Sequence, residues 1–314
     1  MRQKSRCKWL IEGDRNTGFF HKHAEARKNH NSVNEIQTHD RVISNFEEIK
    51  SEASRHFNEL FKDQPVVIDA ELMSLIPRMV TNIDNKNLKE LITMDEVKKA
   101  INSMEEDRAP SPDGFNVNFV KICWETIKKD LLKMVCKSQR CGNIGSSTNS
   151  IFLALIPKEK EAKTFDRFRP ISLCNIGYKI ITKIMATRLK HILPFIILEN
   201  QGGFAKGRKI WDNIILVQEA IHSSLKNGDK GMVVKLDLAN AFDRVSHPFL
   251  FQVILKFGFT SEFVDWVKAC ISKPWIAPLV NGRTAPFFQA SRGLRRGCPL
   301  SPLLYAIQAA VLSF

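Results

Sequence analysis

Residues 233–245 read VVKLDLANAFDRV, and this stretch decides how the chain is interpreted. If residues 232–238 form a β-strand, side chains alternate between two faces, so one face is wholly apolar and the other carries Lys235 and Asp237. A buried charge without a partner costs a large share of the free energy of folding. The sequence therefore predicts that Asp237 binds a metal, an ion-pair partner or water.

The composition indicates a globular protein with an anionic partner. A length of 314 residues is enough for about two domains. The chain has 47 Lys and Arg against 33 Asp and Glu, a formal net charge of +14. Basic residues strongly outnumber acidic ones between residues 158 and 209. Such a charge balance favours nucleic acid as the partner, with a solvated basic surface as the alternative.

The cysteines and apolar segments indicate the compartment. The 7 cysteines include no CxxC pair, which favours a reducing environment over a disulfide scaffold. The HKH run at 21–23 does not match the ligand spacing of zinc fingers. We recognise no signal peptide, and Pro299 and Pro302 interrupt the uncharged stretch at 297–314, so we expect no membrane span. A nuclear or cytoplasmic location follows.

The first third of the chain contains a polar arm and short helices. Residues 1–45 are basic and show no convincing periodicity, so we expect a linker or a nucleic-acid-binding arm. Residues 46–105 have helical patterns, and Thr93 followed by Glu96 predicts a capping box at the start of one helix. The sequence EEDRAPSPDGF at 105–115 predicts an ordered turn, with a plain interdomain loop as the alternative.

The middle of the chain alternates one strand with two helices. The apolar run SIFLALIP at 150–157 predicts a strand. Apolar residues recur at helical spacing over 176–192, and Pro194 ends that amphipathic helix, which has a basic side. A second helix aligns apolar residues over 210–225 and stops at Gly228.

The last part of the chain predicts helices around a hairpin. One helix spans about 246–257 and is closed by Gly258, and another begins near Thr260. Asn-Gly at 281–282 lies between two β-rich runs and predicts a hairpin. The final helix, at 303–314, has hardly a polar face, so it needs partners on nearly all sides that we do not expect this chain to supply.

Several motifs together carry a clear resemblance to a known family. In chain order they are RAPSPDGF, LIPK, FRPISLCNIGYKII, NQGGFAKGR, KLDLANAFDRV and RGLRRGCPLSPLL. Their order and approximate intervals resemble those of reverse transcriptases from plant LINE-type (non-LTR) retrotransposons. The opening SRCKWLIEGDRNTGFFHKHAEARKN is similar to the segment before the polymerase domain in those polyproteins. The resemblance implies an α+β right-hand polymerase fold, with fingers over 106–230 and a partial palm over 231–314, preceded by a helical extension over 46–105.

The resemblance also implies a reaction. It is RNA-directed DNA synthesis, with an RNA template, a DNA primer and dNTPs as partners. Nucleotidyl transfer of this kind uses two Mg²⁺ ions about 3.5–4 Å apart, with Mn²⁺ as an alternative. Mg²⁺ prefers hard oxygen ligands. Asp237 is implied to be the first catalytic aspartate and a metal ligand, with the Leu238 carbonyl as a further ligand. The structural alternative is an ion pair of Asp237 with Lys235 or an arginine.

The resemblance also implies nucleotide-binding roles for other residues. Phe242 corresponds to an aromatic residue that faces the sugar and disfavours a ribose 2′-hydroxyl, although it could instead be core. Lys158 and Arg169 match positions that grip the incoming triphosphate, where cations offset developing negative charge, with generic surface bases as the alternative. Asp243 resembles a structural aspartate that caps the turn into the next helix.

The chain departs from the family pattern RGLRQGDPLSP at two positions. Arg296 stands where glutamine is expected, which places a bulky cation beside the nucleotide and template. Cys298 stands where aspartate is expected. The glycine-basic loop at 200–208 lacks the GxxxxGK[ST] pattern of a P-loop. We nevertheless expect nucleic-acid contacts from three cations in and after this loop, namely Lys206, Arg208 and Lys209.

One element of the family pattern has no counterpart. Such enzymes carry a second catalytic hairpin, aromatic-x-Asp-Asp, and the 314 residues contain no Asp-Asp dipeptide. We therefore expect a reverse-transcriptase fragment that cannot polymerise alone. The alternatives are a non-catalytic RNA-binding remnant of a retrotransposon polyprotein and a degenerate reading frame that folds poorly.

Overall fold

Helices and short strands share one hydrophobic core in the computed structural model, which describes residues 18–106, 109, 111–198, 201–203, 209–228 and 231–313. The helices are α1 (Gly18–Asn31), α2 (Phe46–Leu60), α3 (Ala70–Ser74), α4 (Asn82–Lys89), α5 (Met94–Asn102), α6 (Val117–Ile122), α7 (Trp124–Cys141), α8 (Ile176–Leu189), α9 (Leu193–Ile196), α10 (Ile210–Asn227), α11 (His247–Lys256), α12 (Ser261–Ile271) and α13 (Ser301–Ala310). The strands are β1 (Ile36–Gln37), β2 (Val42–Ile43), β3 (Ser150–Pro157), β4 (Phe168–Cys174), β5 (Trp275–Val280), β6 (Arg283–Thr284) and β7 (Phe288–Gln289). The predicted α+β class is confirmed. Within the described ranges, no helix is both long enough and apolar enough to cross a bilayer.

The main sheet joins two distant parts of the sequence. β3 pairs antiparallel with β4 and parallel with β5, with Ile151 opposite Ile276. β5 also pairs with β6 and β7. The hairpin predicted at Asn281-Gly282 is confirmed, and both residues have the positive φ (50° and 80°) that a tight hairpin turn of this type requires. Strands on both sides of the proposed boundary at 230/231 therefore lie in one sheet.

Part of the segment expected to be a linker belongs to the fold. Ile36 and Ile43, opposite each other in the β1–β2 hairpin, are buried. The Asn281 side chain accepts a hydrogen bond from Val33 N at 2.8 Å and donates one to Val33 O at 2.9 Å. The linker prediction is wrong for this part of residues 1–45, because strands of two residues are too short to produce a readable alternation.

Arg188 of α8 binds the helical extension at residues 46–105. Thr93 caps α5 with the predicted capping box, in which Glu96 returns the hydrogen bond. Arg188 donates to both carboxylate oxygens of Glu96, at 2.9 and 2.8 Å. It also donates to the carbonyl oxygens of Leu88 and Glu90. A bidentate pair of this kind is geometrically specific, so it fixes the extension against the core.

The described part of the 105–115 segment is an ordered turn, as predicted. The Asp113 carboxylate accepts from Ile176 N at 3.2 Å, and Asp113 N donates to the Asn175 side chain at 3.1 Å. Gly114 has a φ of +74°. The turn is therefore docked on the N-terminus of α8.

The helices predicted for the last third of the chain are present, and α13 packs against other helices of the chain. α11 begins at the Ser246 cap and ends before Gly258, and α12 follows Thr260. Leu304 and Ile307 of α13 are fully buried, because α9 and α11 pack against this helix. The expectation that α13 would lack partners is wrong, since the chain itself covers its apolar surface.

Residues 231–238 do not form the strand that the sequence predicts. All of them are exposed, and Met232 and Leu236 are 87% and 85% exposed. None of them takes part in a strand ladder among the described residues. A strand requires a neighbour for its backbone hydrogen bonds, and here the sheet is completed by β5 and its hairpin. Seven large apolar residues of α10 are exposed as well, including Trp211 and Leu225.

Replacing Asn281 tests how the hairpin and the N-terminal segment are joined. Asn281→Gly keeps the positive φ but removes both side-chain hydrogen bonds, so we expect a loss of about 1–2 kcal/mol in the free energy of unfolding. Asn281→Ala also strains the backbone, so it should lose about 1 kcal/mol more. Urea unfolding followed by circular dichroism measures both values. Equal stability of the two variants would contradict the role of the turn conformation.

Candidate active site

The candidate site is organised by the turn at 291–298, SRGLRRGC. Gly293 N donates to Val245 O at 2.8 Å. Gly293 has a φ of +89°, and a Cβ at this position would lie 2.8 Å from the Asp243 carbonyl oxygen. Only glycine therefore permits the turn to approach the backbone of residues 243–245 this closely.

The two ends of this turn each bind a further segment. Ser291 N and Arg292 N donate to Phe61 O, at 3.0 and 3.1 Å. The Arg296 carbonyl accepts from Ser172 N at 2.8 Å. The 291–298 turn thus connects the end of α2, the loop before α11 and strand β4.

Arg296 forms a partly buried ion pair with Asp243, with 2.6 Å between Arg296 Nη2 and Asp243 Oδ2. Asp243 is 1% exposed, and the Arg296 side chain is 24% exposed. Burial raises the pKa of Asp243 to about 6, and the positive charges of Arg296 and Lys158 oppose this increase. Ser246, and not Asp243, caps α11. Asp243 therefore anchors the 291–298 turn, and the expected capping role is wrong.

Phe242 lies beside this ion pair and is half-buried. Its carbonyl accepts from Leu294 N at 2.7 Å. Its ring stacks on Tyr305 of α13, with 4.7 Å between the ring centroids and 16° between the planes. The contact fixes the ring against the last helix, and its predicted position against a sugar stays a prediction.

The two predicted triphosphate contacts lie at the ends of β3 and β4. Lys158 follows β3, and its ammonium group donates to the Asp166 carbonyl at 2.7 Å. Arg169 lies on β4 opposite Ile156. Both side chains are exposed, and Arg169 forms no ion pair with any described residue. Lys158 is close enough to act electrostatically on Asp243, so the structure brings Lys158, Asp243 and Arg296 together.

Asp237 and Leu238 lie outside this group, in the exposed segment 231–238. In the part of the chain that the structure describes, no cluster of three His, Cys, Asp or Glu side chains could hold a metal ion. Mg²⁺ commonly takes only one or two protein carboxylates, with phosphate and water completing its shell. The exposed Asp237 carboxylate suits that limited role but does not form a metal site by itself.

Of the three predicted nucleic-acid contacts, Lys206 and Arg208 lie outside the described residues. Lys209 is exposed and directly precedes α10, and its backbone N donates to Asp212 at 3.2 Å. Its ammonium group is therefore accessible at the start of this helix.

The structure also brings together a group of buried side chains that the sequence motifs do not indicate. Arg295 is 5% exposed, and its guanidinium lies 4.1 Å from the ring centroid of Tyr178. It also donates to the Asn149 side chain. The Cys298 sulfur lies 3.5 Å from the Tyr178 hydroxyl. Local sequence gives no signal for this group, because the adjacent Arg295 and Arg296 look equivalent until their distant partners are known.

The β3 end, the Phe242 loop and the glycine-rich turn all lie within one segment that matches a known family. Residues 156–313 match the family described as reverse transcriptase (RNA-dependent DNA polymerase). Because the match covers half of the chain, the chain belongs to the reverse transcriptase family. The resemblance inferred from the motifs is confirmed at the level of this family.

The relatives of the chain are proteins of transposable elements. It is 28% identical over 307 residues to the "Transposon TX1 uncharacterized 149 kDa protein" of Xenopus laevis, covering 97% of this chain and 23% of that protein. It is 28% identical over 197 residues to the "Retrovirus-related Pol polyprotein from type-2 retrotransposable element R2DM" of Drosophila melanogaster, covering 63% and 18%. It is 23% identical over 223 residues to the "RNA-directed DNA polymerase from mobile element jockey" of the same fly, covering 70% and 24%. The chain therefore spans less than a quarter of each of these relatives.

The raised pKa of Asp243 predicts a specific pH dependence. The folded carboxyl group retains its proton up to about pH 6, whereas the unfolded one releases it near pH 4. The folded state thus binds more protons between about pH 4 and pH 6, and this contribution to stability falls as the pH rises. We expect the stability of the native chain relative to Asp243→Asn to fall by roughly 1–3 kcal/mol across that window. Urea unfolding at several pH values measures this difference, and a constant difference would contradict the assignment.

Proposed function

We propose that this chain is the fingers and the first part of the palm of an RNA-directed DNA polymerase from a plant non-LTR retrotransposon. In this proposal residues 106–230 are the fingers, residues 231–314 are the partial palm, and residues 46–105 are an N-terminal extension that follows the basic segment at 1–45. The observation that carries the proposal is the family match over residues 156–313, which contains the proposed catalytic and triphosphate-binding positions. The plant assignment rests on motif resemblance alone.

The proposed chemistry assigns a task to each candidate residue. Two bound Mg²⁺ ions would activate the primer 3′-hydroxyl and neutralise the triphosphate. The Asp237 carboxylate and the Leu238 carbonyl would be ligands. Lys158 and Arg169 would bind the triphosphate, and their exposure supports this role. Phe242 would contact the sugar of the incoming nucleotide.

Arg296 has a more restricted role than its position suggested. Its guanidinium is engaged by Asp243 at 2.6 Å, so a nucleotide would have to share this group with the carboxylate. Charge-assisted hydrogen bonds of this kind are strong and directional. We therefore propose Arg296 as a nucleotide contact that acts only through the part of its guanidinium left free by Asp243.

Nucleic acid would be held by the basic groups of the fingers. Lys206, Arg208 and Lys209 are proposed to bind the phosphates of the RNA template and DNA primer. A nuclear or cytoplasmic location is part of the proposal, and it is supported by the free thiols of all six described cysteines.

We predict that the chain does not extend a primer by itself. Among the described residues no group of three His, Cys, Asp or Glu side chains could hold a metal ion, and two-metal transfer requires ligands for both ions. The measurement is extension of a labelled DNA primer on an RNA template with dNTPs and Mg²⁺ or Mn²⁺, beside an active reverse transcriptase. Product that disappears in Asp237→Asn but persists in the exposed-carboxylate control Asp40→Asn would contradict the prediction.

A second candidate function is RNA binding without catalysis. The observation that favours it is the pair of exposed cations at the ends of β3 and β4, of which Arg169 has no acidic partner among the described residues. Neutralisation of RNA phosphates by such groups releases counterions, so the affinity falls steeply with salt.

The salt dependence of RNA affinity tests these cations directly. Replacing Lys158 and Arg169 together with Ala should make the plot of log affinity against log salt shallower by about 1.4, since each single-stranded phosphate contact contributes about 0.7. Lys137→Ala with Arg140→Ala is the matched control, because both residues are exposed on α7, away from this strand pair. Fluorescence anisotropy with a labelled RNA gives both slopes. Equal slopes for the two double variants would exclude Lys158 and Arg169 as phosphate contacts.

A further inference from the structure

Arg295 is a buried cation without an acidic partner. It is 5% exposed, and no Asp or Glu of the described residues lies within ion-pair distance of it. Its contacts include the face of the Tyr178 ring, the Asn149 side chain and the Cys174 thiol, all neutral. Arginine stays protonated in proteins, so the guanidinium places a full positive charge inside the domain.

The neighbouring ionisable groups do not compensate this charge. Burial raises the pKa of the Cys174 thiol to about 12 and raises the pKa values of Tyr178 and Cys270 well above their ordinary values. These groups therefore remain neutral at physiological pH, although Arg295 acts on each of them. His247 is also within reach of the Arg295 charge, and burial lowers its pKa, so it stays neutral and cannot act as a counter-ion.

Position 298 lies where a carboxylate could meet this guanidinium. Cys298 N donates to Arg295 O at 3.2 Å, so the two residues close one tight turn. The Cys298 sulfur lies 3.5 Å from the Tyr178 hydroxyl, and Arg295 stacks on the ring of the same tyrosine. Cys298 is itself buried. Both side chains thus converge on Tyr178 inside the core.

We propose that Arg295 is the cationic half of an internal carboxylate-binding site, and that the side chain at position 298 determines whether the site is filled. With cysteine at this position, Arg295 keeps its charge without a counter-ion. An aspartate there would form a buried ion pair and would also accept a hydrogen bond from Tyr178. This inference concerns the folded domain and does not depend on polymerase activity or RNA binding.

The test compares Cys298→Asp with Cys298→Asn, two side chains of the same size that differ in charge. Burying a carboxylate ordinarily destabilises a protein. We expect the opposite here, with the Asp variant melting about 5 °C above the Asn variant at pH 7. Differential scanning calorimetry measures both. An Asp variant that melts at or below the Asn variant would overturn the proposal.

The sign of the pH dependence gives an independent readout. If Arg295 binds the new carboxylate, its folded pKa is lowered, so the advantage over Asn is present above about pH 4 and lost as the pH falls below it. If the carboxylate is buried without a partner, its folded pKa is raised and its disadvantage grows as the pH rises from about 4. The second behaviour would also overturn the proposal.

Arg295→Met completes the test, because methionine is of similar length and uncharged. In this background the advantage in melting temperature of Asp over Asn should disappear or reverse, and an unchanged advantage would assign the effect to another group.

If neither Cys298 variant folds, the single variant Arg295→Met tests the proposal. It should melt no lower than the native chain, since it removes an uncompensated charge, and a much lower melting temperature would contradict the proposal.

Discussion

The 291–298 turn is the constraint on which the arrangement of the site depends. Its backbone binds the end of α2, the loop before α11 and strand β4, three segments that are far apart in the sequence. Glycines make these approaches possible, since a Cβ on Gly297 would lie 3.0 Å from the Ser172 carbonyl oxygen. The turn thus fixes the distance between the strand pair that carries Lys158 and the loop that carries Phe242.

The adjacent Arg295 and Arg296 of this turn lie in different electrostatic environments. Arg296 meets the Asp243 carboxylate at the edge of the core, whereas Arg295 lies among neutral thiols and an aromatic ring. Removing one partner of a buried ion pair is strongly destabilising, because the remaining charge has no compensation. The local environment, and not the residue type, therefore determines what each cation contributes.

The elements with local signals were predictable from the sequence. A capping box identified α5, helical periodicity identified α8, a closing glycine identified α11, and Asn-Gly identified the β5–β6 hairpin. The strand at 232–238 was mispredicted, because alternation describes a strand's faces but cannot supply its neighbour. The partners of Asp243 and Arg295 were equally hidden, since they lie at long separations in the chain. The family motifs located the candidate positions without showing which of them are in contact.

The exposed segment at 231–238 places the proposed metal ligand Asp237 on backbone that has no strand partner among the described residues. If a divalent cation binds Asp237 more tightly when this backbone is paired, then the cation must favour the pairing by the same factor. Ion affinity and strand addition would be two measures of one equilibrium. Under the proposed function, occupancy of Asp237 by the ion would then report whether a neighbouring strand is in place.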